Sequence, residues 1–148
     1  MKKYLVIGNP IEHSLSPKLQ NYWIKNHNID AIYEKEKFNE DELERLFLSI
    51  RDKKINGANV TVPFKKAVIP FLDKLSAEAE STQSVNTIYL ENDKIIGHNT
   101  DIEGFKLGIN KINYNISDKK IFILGAGGVV PSIIYALNKM KVSEITIA

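Results

Sequence analysis

Apolar positions along the chain fall into short alternating runs and into helical stripes, and the two kinds follow one another. Tyr4 to Gly8 is a short apolar run that predicts a strand, and the polar loop Asn9 to Ser16 follows it. Ser16-Pro17 predicts a helix start, with serine as cap and proline at the first helical position, where its missing N–H would be unpaired anyway. Leu19, Tyr22 and Trp23 mark one face of that helix, and Ile29 to Phe38 predicts a second strand. Asn39 to Asp52 is the clearest helix: Leu43, Leu46, Phe47 and Ile50 share one stripe, and Asn39 with Glu42 resembles a capping box.

Gly57 to Val62 predicts a third strand, ended by Pro63. A short helix is expected from Phe64, interrupted by Pro70, and another runs from the Ser76 cap through Glu80. Asn86 to Leu90 and Lys94 to Gly97 read as two strands joined by a turn at Glu91-Asn92-Asp93. Thr100 with Glu103 reads as a capping box that opens a helix. Beyond the polar connector Asn113 to Asp118 come a strand at Ile121 to Leu124, a helix at Gly128 to Lys139 and a strand at Glu144 to Ala148. This order predicts an α/β fold with a mostly parallel sheet flanked by helices over residues 1–112. Residues 113–148 would form the first βαβ unit of a Rossmann-type domain that is truncated.

Composition narrows the function classes. The net charge is +2 and the basic residues are spread, with runs no longer than pairs such as Lys65-Lys66, which argues against nucleic acid. There is no cysteine, which excludes disulfides and thiolate ligands and fits a cytoplasmic location. The most apolar stretch, Ile121 to Leu137, is shorter than a membrane span and is broken by Gly125, Gly127, Gly128 and Pro131, so no membrane partner is expected. The three histidines show no metal-ligand spacing, so no metal is assigned.

Chemistry gathers in a few segments. Gly125-Ala126-Gly127-Gly128-Val129-Val130 lies between a strand and a helix, where backbone N–H groups can meet a pyrophosphate. Val130 stands where the dinucleotide fingerprint prefers Gly or Ala, and the residue that would read the ribose lies beyond the second strand, so NADP and NAD both remain open. Ser14 and Ser16 stand at the end of the first strand, where open α/β sheets bind ligands. Asn59 and Thr61 point to one side of the third strand, and an Asn in an apolar strand costs free energy unless its amide is paired. Lys65 is expected near a helix start, where a cation is disfavoured. Two such costs side by side suggest a site. Asp101 reads by itself as a helix-dipole carboxylate, and His98 as structural.

Together the blocks Gly8-Asn9-Pro10 with Ser14-Leu15-Ser16-Pro17, Gly57-Ala58-Asn59-Val60-Thr61-Val62-Pro63-Phe64-Lys65, Ser84-Val85-Asn86-Thr87, Gly97-His98-Asn99-Thr100-Asp101 with Gly104, and Gly125-Ala126-Gly127-Gly128 carry a resemblance. Their order and spacing are similar to those of shikimate dehydrogenases, over the whole chain. Members of that family are roughly twice as long, and they reversibly reduce 3-dehydroshikimate to shikimate with NADPH on the way to aromatic amino acids. The resemblance implies that Ser14, Ser16, Asn59, Thr61, Lys65, Asn86 and Asp101 hold the substrate. It implies that Lys65 and Asp101 form the catalytic pair. Gly125, Ala126, Gly127, Gly128 and Val129 would take the cofactor, NADP with NAD not excluded.

The residues themselves suit this. An oxyanion left by hydride delivery needs a proton, which a lysine ammonium held by a carboxylate can supply. In the oxidation direction the lysine must first be neutral, so activity should rise with pH. The nearest alternative is an NAD-dependent quinate/shikimate dehydrogenase. Another is a non-catalytic shikimate-binding module, because the 148 residues alone are expected to be inactive. A general Rossmann regulator would explain the glycine loop and none of the four blocks before it. Monomer and homodimer are both compatible with the sequence.

Overall fold

In the computed structural model, which describes residues 1–148, the strands collect into two sheets. The elements are β1 (Lys2–Gly8), α1 (Ser16–Asn26), β2 (Ala31–Lys37), α2 (Leu43–Arg51), β3 (Gly57–Val60), β4 (Lys74–Leu75), α3 (Ala77–Thr82), β5 (Thr87–Glu91), β6 (Lys94–His98), α4 (Asp101–Lys111), β7 (Lys120–Ile123), α5 (Val130–Lys139) and β8 (Glu144–Ile147). The six-stranded sheet has the order β2-β1-β3-β5-β6-β4, and β7 pairs with β8 in a separate two-stranded sheet. β1 runs parallel to β2 and β3, β5 is antiparallel to both its neighbours, and β4 is parallel to β6. β7 and β8 are parallel and are connected through α5.

Strand alternation sorts the side chains onto two faces. Leu5, Ile7, Ala58, Val60, Ile88 and Ile95 form one core with the α2 stripe Leu43, Leu46, Phe47 and Ile50. Phe47 stacks on Phe71 with ring centroids 5.0 Å apart. Leu46 is 1% exposed, and replacing it by Ala would cost about 2–5 kcal/mol. The other face carries the smaller cluster of Val6, Ile11 and Tyr33, packed by Tyr4 and Ile24.

Several local expectations are corrected. Ser16 is the first residue of α1 and not its cap; the Ser14 hydroxyl accepts from Ser16 N at 3.3 Å. The expected face Leu19, Tyr22 and Trp23 is exposed. α1 is held instead by Ile24 and by Asn21, whose amide donates to Tyr33 O and accepts from Tyr33 N at 2.7 and 2.9 Å, along the otherwise unpaired edge of β2. The expected helix over residues 39–52 divides into a 3-10 turn (Glu40–Glu42) and α2, with Asn39 N donating to Glu42 Oε2 at 2.8 Å.

No α-helix starts at Phe64. Turns lead into a 3-10 turn, Ile69–Phe71, that contains Pro70, and the short strand β4 follows. Ser76 does cap α3, accepting from Ala79 N at 3.2 Å, and α3 runs on to Thr82. Asn92 and Asp93 take φ of 50° and 59°, the left-handed pair that a tight hairpin turn requires. Thr100 makes no capping bond to α4, because its hydroxyl is engaged with the Asn86 side chain. No helix is long and apolar enough to cross a membrane.

Candidate active site

Topology brings the polar segments to one edge of the larger sheet. β1 and β3 are parallel, so the loops after Gly8 and Val60 leave from the same edge. β5 runs back with Thr87 opposite Asn59, so Asn86 enters at that edge. β6 pairs His98 with Thr87, so Asn99, Thr100 and Asp101 leave there as well. This is the carboxyl end of β1, β3 and β6, the edge at which α/β sheets place ligands.

Gly8 makes the first close approach possible. A Cβ on it would lie 2.6 Å from Thr61 Cγ2 and 3.1 Å from Val62 O. With hydrogen there, Asn9 N reaches Val62 O at 3.0 Å and the serine loop lies beside Thr61. Ser14, Ser16 and Thr61 line one cavity of about 260 Å³ with Val6, Pro10, Ile11 and His13. Three hydroxyl-bearing residues around one cavity suit a carboxylate or a polyol.

Lys65 and Asp101 form the second group. Lys65 Nζ donates to Asp101 Oδ2 at 2.5 Å, and the side chains are only 15% and 25% exposed. The expectation that Lys65 stands at a helix start is corrected, because it lies in the turn segment. Its position is set by the neighbouring Phe64, buried in the core, and by Lys65 O accepting from Val85 N at 2.8 Å. Asp101 opens α4, where a carboxylate is electrostatically favoured. Its other oxygen, Oδ1, accepts from Asn86 Nδ2 at 2.9 Å.

Asn59 joins this cluster to β2. Its Nδ2 donates to Thr87 Oγ1 at 3.1 Å and Asn86 O at 3.2 Å, and its Oδ1 accepts from the Tyr33 hydroxyl at 2.6 Å. Thr87 Oγ1 donates onward to Asn86 Oδ1 at 3.0 Å. A polar chain therefore runs Tyr33, Asn59, Thr87, Asn86, Asp101, Lys65. Burial pushes the Tyr33 phenol up to about 12, which keeps it a neutral donor at ordinary pH. His98, at the end of β6, accepts from Asn86 N through its carbonyl at 3.0 Å, a structural contact.

Gly125 takes φ of 95°, open to glycine, and its N–H donates to Ala148 O. Gly127, Gly128 and Val129 find no backbone acceptor for their N–H groups, and residues 125–129 are all exposed at the mouth of α5. A set of free N–H donors at a helix N-terminus fits a pyrophosphate.

Tyr33 and Thr87 belong to this network, and Asn99 joins it by accepting from Asp101 N at 3.0 Å; the sequence assigns a role to none of the three. For Tyr33 the only signal was a hydroxyl-bearing aromatic in an alternating strand, and its meaning depends on the pairing register. Asn99 reads in the sequence only as part of the Gly97–Asp101 segment, with no local signal for a role of its own.

The fold and this placement of side chains define the class: an α/β protein with a polar, lysine-bearing site at the carboxyl edge of its larger sheet and a glycine-rich βαβ unit beyond. The sequence model of the shikimate dehydrogenase substrate binding domain matches residues 6–88, and the chain belongs to that family. It is 62% identical over 144 residues to a shikimate dehydrogenase (NADP(+)) of Pelagibacter ubique, covering 97% of this chain and 54% of that protein. The crystal structure of shikimate dehydrogenase from Aquifex aeolicus superposes with a TM-score of 0.92 at 34% identity, covering 100% of this chain and 62% of that one. That of shikimate 5-dehydrogenase from Listeria monocytogenes, in complex with shikimate and NAD, gives 0.91 at 32% identity, covering 99% and 51%. The chain spans about half the length of the curated relatives it matches.

Proposed function

We propose that this chain is the substrate-holding part of a shikimate dehydrogenase that interconverts 3-dehydroshikimate and shikimate with NADP. The observation that carries the reading is the partly buried Lys65–Asp101 pair at 2.5 Å, at the same sheet edge as Ser14, Ser16, Asn59, Thr61 and Asn86. Residues 1–112 would hold the substrate, and residues 113–148 would begin the dinucleotide-binding domain. The ligands are small molecules. A spread net charge of +2 gives no footprint for nucleic acid.

Ser14, Ser16 and Thr61 would take the substrate carboxylate, and Asn59, Asn86 and Asp101 its hydroxyls. The cofactor, when bound at the Gly125–Gly128 loop, supplies or accepts the hydride. Lys65 Nζ would donate a proton to the substrate oxygen in reduction and accept the hydroxyl proton in oxidation, with Asp101 holding it in line. NADP, rather than NAD, is supported by the cofactor named for the Pelagibacter ubique relative.

The test is steady-state oxidation by this chain joined to the C-terminal half of that relative, with shikimate or quinate and with NADP+ or NAD+. The expected result is the highest kcat/KM for shikimate with NADP+. A preference for quinate with NAD+ would replace the reading by the quinate/shikimate alternative, and no oxidation at all would remove it.

A further inference from the structure

Asn99 and Ser132 are almost wholly buried, at 1% and 0% exposure, yet they belong to the two different sheet units. Asn99 follows β6 and immediately precedes the Thr100–Asp101 segment. Ser132 lies in the first turn of α5, just after the glycine loop. Asn99 Nδ2 faces Ser132 Oγ at 2.8 Å, Ser84 O at 2.9 Å and Thr82 Oγ1 at 3.1 Å. Oδ1 of the same amide accepts from Asp101 N at 3.0 Å.

Only a side chain with donors at one atom and an acceptor at the other serves both directions. A carboxylate here would set an acceptor against the Ser84 carbonyl. An apolar residue would leave that carbonyl and the Asp101 N–H unpaired.

We propose that Asn99 is a positioning residue that ties the glycine loop and α5, through Ser132, to the backbone of Asp101 and so to the Lys65–Asp101 pair. This rests on the dehydrogenase reading above. Hydride transfer needs the donor on one unit aligned with the substrate on the other, and a misplacement of about 1 Å costs roughly 10²-fold in rate. The serines and threonine proposed to take the substrate carboxylate stand on the β1 and β3 side of the edge, away from the joint. Loosening the joint should therefore lower turnover more than it weakens substrate binding, in which Asp101 has only a share.

The test uses the joined enzyme with shikimate and NADP+. Ser132→Ala is expected to lower kcat about tenfold while the shikimate KM stays within about twofold. In an Asn99→Ala background, Ser132→Ala is expected to cause no further loss. If Asn99→Ala does not fold, Ser132→Ala alone decides. A kcat for Ser132→Ala within twofold of the parent, a KM that rises as much as kcat falls, or independent multiplication of the two effects would overturn the proposal. If the parent itself does not oxidise shikimate, the functional reading fails separately. The joint is then read in the 148-residue chain by amide hydrogen exchange. Asn99→Ala, which removes the acceptor of the Asp101 N–H, should speed exchange there at least about tenfold, and an unchanged rate would overturn the joint itself.

Discussion

Lys65 Nζ and Asp101 Oδ2 meet at 2.5 Å although 36 residues separate them along the chain. Three packing relationships produce the contact: Phe64 anchored in the core beside Lys65, Val85 N bonded to Lys65 O, and the β5–β6 hairpin that returns the chain to the edge where α4 begins. Asn86 holds the second carboxylate oxygen, so the carboxylate is fixed from two sides. In the joined enzyme, Lys65→Ala should lower kcat by roughly 10²–10⁴-fold, the usual worth of a general acid or base, with shikimate still bound. Steady-state kinetics with a parallel binding titration check this, and unchanged turnover would remove Lys65 from its role.

Tyr33 supports Asn59 from outside the site. Tyr33→Phe removes the donor to Asn59 Oδ1 and should cost about 1–2 kcal/mol, measured by denaturant unfolding at pH 7. The folded phenol is raised to about 12, above its ordinary value of 10.0. The folded state therefore holds this proton more tightly than the unfolded chain. The associated stability is fully present below about pH 10 and is lost as pH rises from 10 towards 12. Tyr33→Phe should flatten that alkaline loss.

Asp73 gives the opposite pH dependence. The Arg51 guanidinium, at 2.9 Å, and Ile95 N, at 2.7 Å, hold its carboxyl below the usual carboxylate range. A lowered folded value stabilises the fold above the ordinary carboxylate pKa, and the contribution disappears as pH falls through the lowered one. Asp73→Asn should lower the melting temperature at pH 7 and reduce its decline in acid. An unchanged acid limb would show that the contact carries no linkage.

Gly8 tests the close approach of the two loops. A Cβ there would meet Thr61 Cγ2 at 2.6 Å and the Val62 carbonyl oxygen at 3.1 Å. Gly8→Ala should destabilise the chain by about 1–3 kcal/mol and weaken shikimate binding, since Thr61 must give way. A variant of wild-type stability that binds normally would mean the loops have slack.

Much of this was legible along the chain. The α2 stripe Leu43, Leu46, Phe47 and Ile50 is buried, and the Asn92-Asp93 hairpin and the Ser76 cap are where local chemistry puts them. Legibility failed where tertiary partners outbid local ones. Thr100 and Ser16 look like caps, but Asn86 takes the Thr100 hydroxyl, and Ser14 supplies the oxygen at the start of α1. Leu19, Tyr22 and Trp23 look like a core face, yet α1 docks through an asparagine amide on the edge of β2. Tyr33 and Asn99 act across 26 and 33 residues, and no local pattern encodes such pairings.

The most direct test of the central claim is a shikimate titration of the 15N-labelled 148-residue chain followed by amide NMR. The account predicts saturable shifts at Ser14, Ser16, Thr61, Asn86 and Asp101, reduced by Ser16→Ala. No saturable shift, or shifts confined to β7, α5 and β8, would contradict it.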